Sequence, residues 1–154
     1  MRVPRILLVG NHGPLMDSIS ARLAWQSSFC VSGILATPEA AVAVVRREPV
    51  DLVLLDVDST VAGWPRDSGL LRELFALANV ILLSAIIEDR ALAWALDSGV
   101  SGLLLKRELS EEIVPAIQEV LAGGSWFSED VRERIVVDAN GARLAVPSAD
   151  QVGE

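Results

Sequence analysis

Between Asp51 and Asp56 the chain reads Leu52-Val53-Leu54-Leu55, four apolar residues in a row, closed at each end by a carboxylate. A strand with one wet face alternates apolar and polar residues. An unbroken apolar run of this length reads as a strand covered on both faces. The same kind of run recurs at Arg5–Val9, Cys30–Leu35, Val80–Ser84 and Leu103–Lys106. Five such strands predict a parallel sheet between two helical layers.

The stretches between them carry helix signals. Pro14 suits the first turn of a helix running to about Gln26, with Leu15, Ile19 and Leu23 as its apolar stripe. Thr37-Pro38-Glu39 combines a hydroxyl cap, a first-turn proline and an acid at the positive end of the helix dipole. That helix is expected to reach about Glu48, where Pro49 stops it. Asp58–Gly63 reads as a loop. Helices follow over about Asp67–Leu77 and Asp89–Asp97. A last one over Glu111–Ala122 is capped by Ser110 and ended by Gly123-Gly124. Beyond it, Ser128 opens a short amphipathic helix, Glu129–Val137, and Asn140-Gly141 marks a turn. Pro147, Ser148 and Gly153 give a linker-like end. The expected fold is therefore a doubly wound, flavodoxin-like α/β sandwich in residues 1–127, followed by a tail in residues 128–154.

Composition narrows the function. Hydrophobic residues make up 51% of the 154, and the mean hydropathy is +0.42. Such values point to doubly buried strands, an oligomer interface, or both. The net charge of −8 repels phosphate backbones, so this domain is not expected to contact nucleic acid itself. A single cysteine, Cys30, excludes an internal disulfide and fits a reducing, cytoplasmic setting. The apolar runs fall well short of the ~20 residues of a spanning helix, so no membrane association is expected.

In an open parallel sheet, ligands sit beyond the carboxyl ends of the strands. Those ends carry Gly10 and Asn11, Asp56, Ser84 and Lys106. An acid, a hydroxyl and an ammonium brought together form a phosphoryl-handling set. The carboxylate accepts the group, and the hydroxyl and ammonium hold its oxygens. Lys106 is the only lysine beside twelve arginines, a compact point charge kept at one strand end. His12 is the only histidine, so no multi-histidine metal site exists. Gly10-x-x-Gly13 lacks both the dinucleotide fingerprint and the lysine of a phosphate loop, which sets a nucleotide-binding enzyme aside.

The chain resembles the receiver domains of two-component response regulators, and among them the NarL/FixJ (LuxR-type) subfamily. The resemblance covers about Arg2–Ser128. It rests on Arg5–Val9, Asp51–Asp56, Ile81–Ala85, the stretch Ala95-Leu-Asp-Ser-Gly-Val-Ser-Gly-Leu-Leu-Leu-Lys106, and Ala122–Ser128. It implies Asp56 as phosphoacceptor, Ser84 as switch hydroxyl and Lys106 as phosphate contact, in a signalling domain that is not an enzyme. It also implies a sensor histidine kinase as partner. A homodimer is expected through the Asp89–Asp97 helix, the Leu103 strand and the Glu111–Ala122 helix, or through the first and last of the five helices. A helix-turn-helix output segment would carry DNA binding, and the chain reads as a truncated regulator, the alternative being a stand-alone receiver.

Three features depart from the family pattern. The adjacent acids that hold Mg²⁺ are Gly10 and Asn11, which leaves a weak site of Asn11, Asp56 and Asp58. The aromatic switch position is Leu103. The usual methionine-proline after the acceptor is Ser59-Thr60. The alternative reading is thus a phosphorylation-independent pseudo-receiver that dimerises or binds a ligand. Trp94 is expected on the outer face of its helix as an interface residue, the alternative being a ring folded onto apolar neighbours. Trp25, Trp64 and Trp126 are expected to pack at helix ends.

Overall fold

A computed structural model describes residues 2–11, 13–61 and 68–145. His12, Trp64, the start of the helix read from Asp67, and the linker-like Pro147, Ser148 and Gly153 lie outside the described residues. The elements run β1 (Arg5–Val9), α1 (Gly13–Leu23), β2 (Cys30–Leu35), α2 (Pro38–Arg47), β3 (Leu52–Asp56), α3 (Val57–Thr60), α4 (Gly69–Leu77), β4 (Asn79–Ser84), α5 (Asp89–Asp97) and β5 (Gly102–Leu105). A 3₁₀ turn at Lys106–Glu108 leads into α6 (Leu109–Leu121). Then come β6 (Trp126–Phe127), α7 (Glu129–Arg132), β7 (Ile135–Asp138) and β8 (Gly141–Leu144).

The five expected strands form one parallel sheet in the order β2-β1-β3-β4-β5, and the two-residue β6 adds itself beside β5. Side chains of successive strand residues point to opposite faces, so the runs of β1, β3, β4 and β5 each feed two cores, whereas the edge strand β2, expected to be covered on both faces, stays partly exposed. Leu7, Val9, Val53, Leu55, Val80, Leu82 and Leu103 face α2, α4 and α5. Ile6, Leu8, Leu52, Leu54, Ile81, Leu83 and Leu104 face α1 and α6. Leu52–Leu55 are wholly buried, each contributing roughly 1.5–3 kcal/mol of apolar burial. This is why the run needs no polar residue.

Local signals explain most element ends. Thr37 caps α2, its Oγ1 accepting from the Ala40 N–H at 3.1 Å. Ser68, not singled out in the sequence, caps α4 in the same way toward Leu71 at 3.2 Å. Ser110 is not a cap, because the 3₁₀ turn after Lys106 moves the start of α6 back to Leu109. The expected loop from Asp58 begins instead as the single turn α3, capped by the Asp56 side chain.

The tail departs further from expectation. The helix beginning at Glu129 stops at Arg132, and Ile135–Leu144 form an antiparallel hairpin about Asn140-Gly141. Ile135, Ala142 and Leu144 pack against the core on the α5 side. The anchor is Ser128, fully buried. Its hydroxyl accepts from the Leu105 N–H and donates to Glu112 Oε1, both at 2.9 Å, so it is unavailable to cap α7. Gly102 makes room for this path: a Cβ there would lie 2.5 Å from the Trp126 carbonyl oxygen. Farther on, Arg134 donates to the Ile87 carbonyl at 2.8 Å and pairs with Asp89 at 3.3 Å, tying the hairpin to the β4–α5 loop.

The tryptophans divide differently from expectation. Trp94 is half-buried, its ring 5.9 Å from that of Phe75 and under the Arg72 guanidinium. Trp126 is half-buried and donates to Glu112. Trp25, expected to pack, is 88% exposed.

Candidate functional site

β3, β4 and β5 end side by side, and their register fixes what meets at the edge. Asp56 lies opposite Leu83, and Ser84 opposite Leu105. Lys106 follows β5 directly, which swings its side chain across the end of β3. Lys106 Nζ stands 2.8 Å from Asp56 Oδ1 and 3.0 Å from Asp58 Oδ2. The three residues singled out from the sequence therefore converge, with Asp58 as a fourth member.

Asp56 is wholly buried, and a buried carboxylate persists only when paired and hydrogen-bonded. Both of its oxygens are engaged. Oδ1 takes the ammonium and the Asp58 N–H at 3.1 Å, and Oδ2 takes the Ser59 hydroxyl at 2.9 Å. The Thr60 hydroxyl donates to the Asp56 carbonyl at 2.7 Å. Ser59 in turn accepts from the Asn11 N–H at 3.0 Å, which ties the β1 loop to the turn after β3. Ser59 and Thr60 thus secure Asp56. The sequence signal was an acid followed by two hydroxyl residues, the composition of a side-chain-capped turn.

Asp58 has its side chain 34% exposed and turns away from Asp56 toward β4. Oδ2 accepts the Ala85 N–H at 2.7 Å as well as Lys106, and Oδ1 stands 3.2 Å from the Ser84 hydroxyl. That hydroxyl also donates to the Ile86 carbonyl at 2.6 Å. The Ala85 amide is a site group that side-chain reasoning does not find. Burial works to lower the Lys106 pKa, but its hydrogen bonds and attraction to Asp56 and Asp58 outweigh this and raise it above the ordinary lysine value.

The β1 end supplies little. Gly10 packs against Met16, so closely that a Cβ there would lie 2.6 Å from Met16 Sδ. Asn11 is exposed and reaches the site through its backbone. A divalent cation requires several hard oxygen ligands. Of the expected set, Asp56 and Asp58 both share the one ammonium, and Asn11 adds no carboxylate. Among the described residues no cluster of three acidic, histidine or cysteine side chains could hold a metal. The donor set does not fit a Mg²⁺ site. Leu103 is fully buried between β4 and Phe127.

Known proteins resemble the chain in sequence and in fold. No protein-family model matches the chain. It is 28% identical over 132 residues to the transcriptional regulatory protein MctR of Rhizobium johnstonii, across 86% of this chain and 62% of that protein. It is likewise 28% identical over 127 residues to the response regulator protein VraR of Staphylococcus aureus, across 82% of this chain and 61% of that one. The chain thus spans about three fifths of the length of these relatives. The crystal structure of a LuxR-family two-component response regulator from an Aurantimonas species superposes with a TM-score of 0.75 at 23% identity. It covers 86% of this chain and 94% of that one. The chain has the receiver fold. Within that fold, the edge holding Asp56, Ser84 and Lys106 carries its charge at the ends of β3 and β5, a hydroxyl at the end of β4, and, among the described residues, no charged side chain at Gly10 or Asn11 after β1.

Proposed function

We propose that residues 1–127 act as the receiver domain of a LuxR-type response regulator, with Asp56 at the acceptor position, Ser84 as switch hydroxyl and Lys106 as phosphate contact. Its phosphorylation is weak. The observation that carries this reading is the 2.8 Å contact of Lys106 Nζ with a fully buried Asp56 at the carboxyl edge of the sheet. Phosphorylation adds roughly −1.5 to −2 charge, and a single ammonium is available beside it to offset this. A signalling role rather than catalysis of a metabolic reaction follows from the likeness to response regulators.

The proposed phosphodonor partner is a sensor histidine kinase, and residues 1–127 are proposed to make no DNA contact themselves. The hairpin of β7 and β8 lies over α5, so we assign homodimer formation to the α1 and α6 side. A second reading, a pseudo-receiver whose association ignores phosphorylation, is favoured by Gly10 and Asn11 and by the burial of Leu103.

The test is intact-mass measurement after incubation with acetyl phosphate and Mg²⁺, with Asp56→Asn as control, followed by sedimentation of treated and untreated protein. The expected result is a minor labelled fraction and an unchanged sedimentation profile. Near-complete labelling at Asp56 with a monomer-to-dimer shift would restore a conventional phospho-switch.

A further inference from the structure

The groups that would hold a transferred phosphoryl oxygen at this edge are the Lys106 ammonium, the Ser84 hydroxyl and the Ala85 N–H. They come from two strand ends and converge on one point. In this structure that point is the Asp58 carboxylate. Oδ2 takes the Ala85 N–H at 2.7 Å and the ammonium at 3.0 Å, and Oδ1 stands 3.2 Å from the Ser84 hydroxyl. A carboxylate presents two anionic oxygens about as far apart as two oxygens of a phosphoryl group, so the same donors suit both. Two of these contacts are charge-assisted hydrogen bonds, the stronger class. The backbone holds the acid in place, because α3 is capped by Asp56 and the Asp58 N–H is fixed on Asp56 Oδ1 at 3.1 Å.

We propose that Asp58 is a resident anion that fills the phosphoryl-oxygen site and competes with phosphorylation of Asp56. This rests on the receiver reading above and adds its regulation. The pocket is self-saturated: one acid occupies the acceptor position and its neighbour two residues on occupies the place of the transferred group. In the labelling step the bond from phosphorus to the acetate oxygen breaks, a bond to an Asp56 oxygen forms, and acetate leaves. Throughout, the phosphoryl oxygens need the Ala85 N–H and the Lys106 ammonium that Asp58 holds, and the space beside the Ser84 hydroxyl that it fills. The loop from Ser84 to Ile87 is thereby kept in one arrangement without phosphorylation.

The experiment compares acetyl phosphate labelling rates, by intact mass in the presence of Mg²⁺, for the full chain and three variants. Asp58→Ala vacates the site. Asp58→Asn keeps its volume and serves if the alanine variant fails to fold. Glu88→Gln removes one exposed acid from the same loop without touching the three donors. The expected result is labelling about tenfold faster in both Asp58 variants, the factor for ~1.4 kcal/mol of competition removed, and a wild-type rate in Glu88→Gln. Asp58 variants no faster than Glu88→Gln would overturn the role of Asp58 while leaving an impaired receiver. Near-complete labelling of the wild type would overturn the impaired-receiver reading itself.

Discussion

The two halves of one sheet edge behave differently. At the ends of β3, β4 and β5, Asp56, Asp58, Ser84 and Lys106 exchange hydrogen bonds and charge until the acids have no unengaged partner group nearby. At the end of β1, a few ångströms of backbone away, Gly10 packs on Met16 and Asn11 contributes only its N–H. Gly10 and Asn11 bring no acids to the edge, and the pocket is balanced without them. Asp56 can stay buried because an ammonium, a backbone N–H and a hydroxyl surround it, where a bare carboxylate would not.

Removing the ammonium should break this balance most strongly. Lys106→Met leaves two carboxylates without their shared ammonium, one of them wholly buried. Breaking such a pair costs about 3 kcal/mol, the lower end of the usual range because Lys106 keeps 24% of its side-chain surface in water. Asp56→Asn should cost less than half as much, since Lys106 retains Asp58. Urea unfolding of both variants checks the asymmetry, and equal losses would contradict it. The Lys106 pKa is raised in the fold, so its contribution is complete below the unfolded lysine value and fades only as pH climbs through the higher folded value. Neutral and mildly alkaline solutions should therefore show the full effect.

The other half is tested by restoring acids. Gly10→Asp with Asn11→Asp forces a Cβ against Met16 Sδ. Overpacking of this kind costs about 2 kcal/mol, which thermal unfolding would register. A variant as stable as the parent would mean that the β1 end is looser than the packing implies. The link from edge to tail is sharpened by Arg134→Ala, which removes the donor to the Ile87 carbonyl. A loss of about 1.5 kcal/mol should appear as faster hydrogen exchange in residues 135–144, with β1, β3 and β4 unchanged. Uniform acceleration across the sheet would show instead that the hairpin is part of the global core.

The smallest effect belongs to Asp51 at the opposite end of β3. Burial works to raise its pKa, but the Arg5 N–H and the Arg2 guanidinium lower it below the usual carboxylate value. Its contribution is therefore present above the unfolded value and lost as pH falls through the lower folded one. Asp51→Asn should cost less than about 1 kcal/mol at pH 7 and flatten the acid limb of stability below the ordinary aspartate value. An unchanged acid limb would contradict the pairing.

The sheet was legible because its information is local: an apolar run such as Leu52–Leu55 has one way to be buried on both faces. Asp56, Ser84 and Lys106 were legible because each sits at the end of such a run, and strand ends share an edge. Asp58 was read as a weak metal ligand, since the sequence does not encode which way a loop carboxylate turns. The Ala85 N–H carries no side-chain signal at all. The hairpin was missed for a related reason. Glu129–Val137 has helix-compatible spacing, and only the tertiary anchors at Ser128 and Arg134 decide for strands.

The self-saturated pocket can be watched directly because the chain has one lysine. With ¹⁵N-lysine labelling, the Lys106 ammonium gives a single Nζ signal free of overlap. The account predicts a titration midpoint above the ordinary lysine value, and a drop toward that value in both Asp56→Asn and Asp58→Asn. A wild-type midpoint at the ordinary value, unmoved by either substitution, would contradict the claim that Lys106 is held by both carboxylates.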